Sequence, residues 1–403
     1  MHDRAALPPT RRPPAAVWAA VLSVAVVALF GVPILARLSA PDVSSDILNQ
    51  ARLAAGMVKD GGGLAYSVWY LLVYVLSGGT GASDRTLRIV AFGIVVLAVV
   101  ARTLVAYGFA LARLRRPWSS ALAAIVAGLA MPIVDPTRPR LIYIGQISAN
   151  VWHNATLLLA MPFSLLAFAA VVAYVRRPGV RPAALASLAL LASTAAKPNY
   201  TLALLPVLAI SLVVLVVRGD RPLGCAVVDG LVAGSPSVAL LAYQYLHVFG
   251  ATGVRGTHTV IAPFAVWSTF TPHIAGSLAV SVAGPVAALV AMPPSARRSR
   301  QVVLAWSTFL VALLQTSFLA EAAPNGMILT DGNYFWGSHA AIAVLMLVSI
   351  TEMMAVVVAS PDAAFRRPAV VIAGVVMAAH VATGAFYTLH AGIGGFPVTM
   401  FVT

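Results

Sequence analysis

Charge is what this chain most lacks. Charged residues make up 9% of its 403 positions against 60% hydrophobic ones, and the mean hydropathy is +0.92. A water-soluble domain cannot keep so much apolar surface out of solvent, so lipid must form part of the surroundings. Acid is scarcer than base, with 12 Asp and Glu facing 26 Lys and Arg for a formal net charge of +14. The basic residues sit in short tracts between apolar stretches rather than in one run, so nucleic acid is not an expected partner. They read as topogenic arginines that hold loops in the cytoplasm and touch anionic lipid. Cys225 is the single cysteine, which excludes an intrachain disulfide and a cysteine metal cluster. There is no Walker loop, nucleophile elbow or zinc-protease helix motif, which argues against an ATP-driven pump or a serine hydrolase. Neither a repeat nor an appended soluble domain is visible, so any chemistry belongs in loops or inside the helix bundle.

What is present is a series of apolar stretches of roughly 20 residues, the length that crosses a bilayer. They predict an all-α, polytopic transmembrane helix bundle with about eleven spans, near 16–38, 87–111, 118–134, 154–175, 183–196, 199–217, 224–248, 274–293, 302–320, 336–357 and 369–389. The first is read as an uncleaved helix rather than a signal peptide, because the apolar stretch behind the basic, Pro-rich start is long enough to span. The arginine tracts at Arg11, Arg113, Arg176, Arg218, Arg297 and Arg366 then fall in alternate connections, each cytoplasmic. This order requires that Leu64–Leu76, LAYSVWYLLVYVL, does not cross. Its short, aromatic sequence suits an interfacial or re-entrant helix on the outer leaflet, the alternative being a short span. The expected organisation is a cytoplasmic basic N-terminus over 1–15, one transmembrane domain over 16–389 with a first outer loop over 39–86, and a short outer tail over 390–403. The N-terminus is cytoplasmic and the membrane is the inner (cytoplasmic) one.

Nearly every chemically useful side chain then emerges on the outer face. In the first outer loop Ser44 and Ser45 precede an amphipathic helix that places Asp46 in its first turn. A carboxylate there either caps the helix or accepts a proton from a hydroxyl within reach. The segment IGQISANVWHNAT gathers Gln146, Asn150, His153 and Asn154 at the start of an apolar run, where clustered polar groups line a cavity. Lys197, before the helix-breaking Pro198, either meets a phosphate or reaches the outer headgroups. A later outer segment carries Glu321, Asp331, Asn333 and Trp336, and its aromatic residues form either a membrane belt or a platform for a sugar. Arg102, inside the second span, has Asp229 or Glu352 as candidate partners. His247, His258 and His273 lack metal-ligand periodicity.

The order of a first span, an outer loop with an acid at Asp46, the non-spanning segment LAYSVWYLLVYVLSGG and a span ending at RLRRPW resembles the GT-C class of membrane glycosyltransferases. The resemblance covers roughly the first half of the chain and is topological. The segment GQISANVWHNAT also resembles one in uncharacterised bacterial polytopic proteins, which adds kinship and no activity. The resemblance implies transfer of a sugar from a polyprenyl-phosphate carrier to the hydroxyl of a glycan or lipid acceptor, with inversion. Asp46 inherits the role of the first-loop acid, which is the catalytic base or helps place the acceptor, with Asp42 as its substitute, and Gln50 stands where some relatives carry a histidine. His153, Asn154, Lys197, Gln146 and Asn150 would bind the donor phosphate. Asp42, Gln50, Glu321, Asp331, Asn333 and Trp336 would bind sugar or acceptor. No cofactor is expected, and a divalent metal finds no support in the residues. The rival readings are a transporter or flippase for a lipid-linked or amphiphilic substrate, a polysaccharide polymerase or ligase, and a structural membrane subunit.

Overall fold

A computed structural model describes residues 14–43, 45–59, 67–133, 145–249, 256–330 and 333–393. Its principal helices are α1 (Pro14–Leu38), α2 (Asp46–Lys59), α3 (Val68–Leu76), α4 (Asp84–Leu114), α5 (Pro117–Leu129), α6 (Ala155–Arg176), α7 (Val180–Ala196), α8 (Asn199–Val217), α9 (Leu223–Gln244), α10 (Ile274–Ala291), α11 (Arg300–Phe318), α12 (Phe335–Ala359) and α13 (Pro368–Ile393). Nine described helices are long and apolar enough to cross a membrane: α1, α4, α6, α8, α9 with the π-turn that follows it, and α10 to α13. The chain is therefore a multi-pass membrane protein.

The expected eleven spans are present as helices, but two are too short to qualify. Helix α5 has 13 residues and α7 has 17, about 20 and 25 Å at 1.5 Å per residue. Each ends near a proline that restricts the residue before it, Pro132 beyond α5 and Pro198 beyond α7. The all-α expectation also missed a small antiparallel sheet, β1 (His258–Ile261), β2 (Leu319–Ala322) and β3 (Ile328–Leu329), in that order. Strands of two to four residues beside long apolar runs leave no periodic signal.

Helix α12 lies at the centre, packed on α4, α5, α6, α8, α10 and α11. It is hydrophobic on every side and almost wholly buried over its first 19 residues, as a helix enclosed by other helices must be. Helices α1 and α4 run antiparallel, because the Tyr107 hydroxyl near the end of α4 donates to Ala16 O at the start of α1 (2.9 Å). The connection 39–83 thus begins and ends on one face. Arg52 of α2 fastens it to Asp84 at the foot of α4 (2.5 and 3.1 Å), and Ser67, capping α3, donates to Ala196 O at the end of α7 (2.6 Å). Helix α3, nine residues long, is too short to cross.

The arginine tracts among the described residues gather on the opposite face. Arg113 donates twice to Glu352 (2.7 and 3.0 Å), Arg176 meets Gln301, Arg300 reaches Val175 O (2.6 Å) and Arg367 reaches Ala291 O (2.8 Å). These contacts join the ends of α4, α6, α10 and α12 to the starts of α11 and α13. They also correct the pairing expected of Arg102. Glu352 takes Arg113, Asp229 takes Arg221 (2.9 and 3.1 Å), and buried Arg102 donates instead to Ala127 O at the end of α5 (2.9 Å). Sequence spacing holds no information about pairs on separate helices.

Over the described residues 130–133 and 145–154, between α5 and α6, the backbone is irregular inside the bundle, which is possible only where protein groups replace the missing helical bonds. Asn150 Nδ2 donates to Ala127 O (3.2 Å) and Ala130 O (2.7 Å). Gly284 N–H donates to His380 Nε2 (3.0 Å), and Val280 O accepts from Ile133 N–H (3.3 Å). Ser281 Oγ accepts from Ile147 N–H (3.0 Å).

Candidate functional site

The stretch Gly145–Asn154 delivers its last two residues to the start of α6. Asn154 is extended there, and its Oδ1 caps the helix by accepting from Leu157 N–H (2.9 Å) and Thr156 Oγ1 (3.0 Å). Helix α7 ends beside it. Lys197, held extended by the following Pro198, turns away from the helix axis. Its Nζ donates to Thr156 Oγ1 (2.8 Å) and Asn154 Oδ1 (3.4 Å), and lies 5.9 Å from the centre of the Trp336 ring. His153 meets the same ring edge-on at 5.5 Å, and His339 lies 5.3 Å from it on the next turn of α12. His339 Nδ1 lies 2.9 Å from both the N and the O of Ser148, tying α12 to the irregular stretch. Four residues expected from the sequence to bind substrate, His153, Asn154, Lys197 and Trp336, therefore stand together. Burial, and then the neighbouring charge of Lys197, push the His153 imidazole down to about 4, so it is neutral near pH 7.

Lys197 and Thr156 of this cluster line a cavity of about 400 Å³, whereas His153, Asn154 and Trp336 are not among its described lining residues. Lys197, Thr156, Asn199, Asn333 and Glu321 make its polar wall, and Leu202 of α8 with Val238 and Leu241 of α9 its apolar one. Tyr245, in the π-turn Tyr245–Phe249, also faces it. The sheet places Glu321 on the wall: it sits in β2 across from Thr259, and Thr259 Oγ1 is bonded to the Tyr334 hydroxyl (2.7 Å). Asn199 Nδ2 donates to Asn333 O, joining the start of α8 to that of α12. Three buried atoms of cavity residues have no hydrogen-bond partner among the described residues: Gln244 Oε1, Thr257 Oγ1 and Asn333 Nδ2. Buried polar atoms are normally paired, so these fit a ligand with hydroxyl groups or bound water. An ammonium and amides can hold a phosphate, a carboxylate can hold hydroxyls, and the apolar wall can hold a hydrocarbon chain.

Other expected site residues lie apart. Asp46 opens α2 and is half-buried, with Ser45 Oγ accepting from Ile47 N–H (3.2 Å). Helix α2 packs on α3, α4 and α6, but neither Asp46 nor Gln50 is among the described residues that line the cavity. Asp42 is exposed, and the Arg37 guanidinium at 2.7 Å holds its carboxyl below the usual range. Gln146 is buried in the irregular stretch, and Asn150 spends its amide on α5. Asp331 lies outside the described residues. No group of three or more metal-ligating side chains occurs among the described residues.

The sequence reading passed over Thr156, Asn199, Gln244 and Thr257, all on the cavity wall. Their signal was position, since Thr156, Asn199 and Gln244 occupy first or last turns of apolar helices. No family model and no curated protein matches the chain. Among solved structures it is similar to ArnT from Cupriavidus metallidurans, crystallised bound to undecaprenyl phosphate. The match has 16% identity and a TM-score of 0.49, and it covers 93% of this chain and 77% of that one.

Proposed function

We propose that the chain is a membrane glycosyltransferase of the GT-C type, which moves a sugar from a polyprenyl-phosphate carrier to an acceptor hydroxyl at the outer face of the cytoplasmic membrane. The observation that carries the reading is the cavity itself, with the Lys197 ammonium and the Glu321 carboxylate on its polar wall and an apolar side on α8 and α9. A lipid-linked sugar phosphate has these three chemistries in one molecule: an anion, hydroxyls and a hydrocarbon chain.

In this scheme Lys197 and neutral His153 hold the donor phosphate and stabilise the charge it gains as the bond to the anomeric carbon breaks. Asn154, Glu321 and Asn333 orient sugar hydroxyls, gaining rate through position. Asp46 removes the acceptor proton as the oxygen attacks the anomeric carbon, so the acceptor lies between the cavity and α2. The packing of α2 on α6, the helix that carries Thr156 on the cavity wall, supports this approach. A direct displacement of this kind inverts the anomeric centre. A transporter would use intramembrane Arg102, the helix break at Lys197–Pro198 and the polar re-entrant segment as its substrate pathway; of these, Arg102 donates to Ala127 O at the end of α5.

The test is transfer by the purified, reconstituted protein from a panel of radiolabelled polyprenyl-phosphate sugars. The wild type is expected to yield an inverted product. Asp46→Asn is expected to lower kcat by at least about a hundredfold with little change in donor KM, as loss of a general base does. Full turnover by a folded Asp46→Asn protein, with loss only in Glu321→Gln, would move the base to the cavity wall. Retained configuration would contradict the single-step scheme.

A further inference from the structure

On the arginine-rich face a second, open cavity of about 600 Å³ lies between the ends of α4 and α12 and the starts of α11 and α13. Its ionisable lining is Arg113, Glu352 and Arg367. Glu352 is fully buried and takes two bonds from Arg113 and another from Gln301, so its charge is matched inside the protein. Arg113 uses Nε and one terminal nitrogen on that carboxylate, and Arg367 uses one nitrogen on Ala291 O. Donors therefore remain on both guanidinium groups, and with Glu352 neutralised by Arg113 one positive charge is left over. Ser299, on the same wall, stands at the N-terminal cap of α11 without capping it, and its buried Oγ has no partner among the described residues. The remaining wall is made of small residues, mostly apolar ones such as Ala355, Val356, Ala359 and Ala363, with the hydroxyl-bearing Ser295 and Ser360 among them.

We propose that this cavity holds the phosphate headgroup of an anionic phospholipid from the leaflet that meets the arginine-rich face. Guanidinium donors match phosphate oxygens, and a basic recess between membrane helices is the form that binds such headgroups. The cavity sits at the ends of spanning helices, where an acyl chain can continue into the bilayer along the alanine-lined side. The site lies on the face opposite the transferase cavity and does not depend on the reading given to it.

Native mass spectrometry of the full chain released from neutral detergent tests the proposal. Equal amounts of phosphatidylglycerol and phosphatidylcholine are offered, with inorganic phosphate in a separate sample. One retained phosphatidylglycerol per protein is expected, with phosphatidylcholine and free phosphate not retained. Ala359→Trp fills the cavity from an exposed position, and is expected to weaken retention at least about tenfold. Ser299→Ala removes one hydroxyl, weakens it by a smaller factor, and serves if the tryptophan variant does not fold. Equal retention of the zwitterionic lipid, retention of inorganic phosphate alone, or unchanged retention in both variants would each overturn the assignment.

Discussion

Asn154 Oδ1 takes three donors, a backbone N–H of α6, the Thr156 hydroxyl and the Lys197 ammonium. One atom thus starts a helix and fixes a cation at the cavity wall. The geometry explains why Lys197 is tolerated between apolar helices, since an ammonium in such a place needs oriented acceptors. His153 beside it has a depressed pKa, which links the site to stability. Its folded value of about 4 lies below the ordinary 6.5, so below pH 6.5 the unfolded chain binds the proton more readily than the native one. The stabilisation is complete above pH 6.5 and is lost as pH falls toward 4, to a total of about 3 kcal/mol. Thermal unfolding of the wild type should therefore fall over that window more steeply than that of His153→Gln. Parallel curves for the two proteins would show that His153 does not titrate in this way.

At the level of elements, α5 is the one whose length has most consequence. It ends inside the bundle, and its last carbonyls are covered by Arg102 and Asn150. Cations and N–H donors are favoured at a helix C-terminus, whereas a carboxylate is repelled there. Asn150→Asp, which keeps the shape and replaces the donor by an anion, should thus cost more stability than Asn150→Ala, which should cost about 1–3 kcal/mol. Detergent melting of the two variants checks the order, and the reverse order would remove Asn150 from this capping role. Gly384 of α13 is a second check, because a Cβ there would land on the Leu129 carbonyl. Gly384→Ala should fail to accumulate as folded protein.

The apolar runs announced the helices, because hydropathy reports the solvent each segment meets. The irregular insert after α5 was not visible, since its backbone bonds end on α10, α13 and distant side chains. The same holds for the sheet that carries Glu321. The polar cluster at His153 and Asn154 was readable because polar residues at the edge of an apolar run are costly, while the partners of Arg102 and Glu352 lay on separate helices.

Across the whole molecule, two faces carry different chemistry. One gathers the arginine tracts and buried Glu352, the other the 39–83 connection, Lys197 and the cavity. The proposed orientation puts the first face in the cytoplasm, the side on which arginine-rich loops are favoured. In a Cys225→Ser background, Thr80→Cys and Ser360→Cys occupy exposed positions on opposite faces. A membrane-impermeant maleimide should label the first in right-side-out vesicles and the second in inside-out ones. Reversed labelling would put the cavity in the cytoplasm and exclude an outer-face reaction. Docking of a phosphate-headed lipid beside Lys197 is checked by equilibrium binding of radiolabelled polyprenyl phosphate to wild type and Lys197→Gln. Loss of the charge-assisted contact should weaken binding by about tenfold or more and flatten its dependence on salt. Equal affinity and equal salt dependence in the two proteins would contradict it.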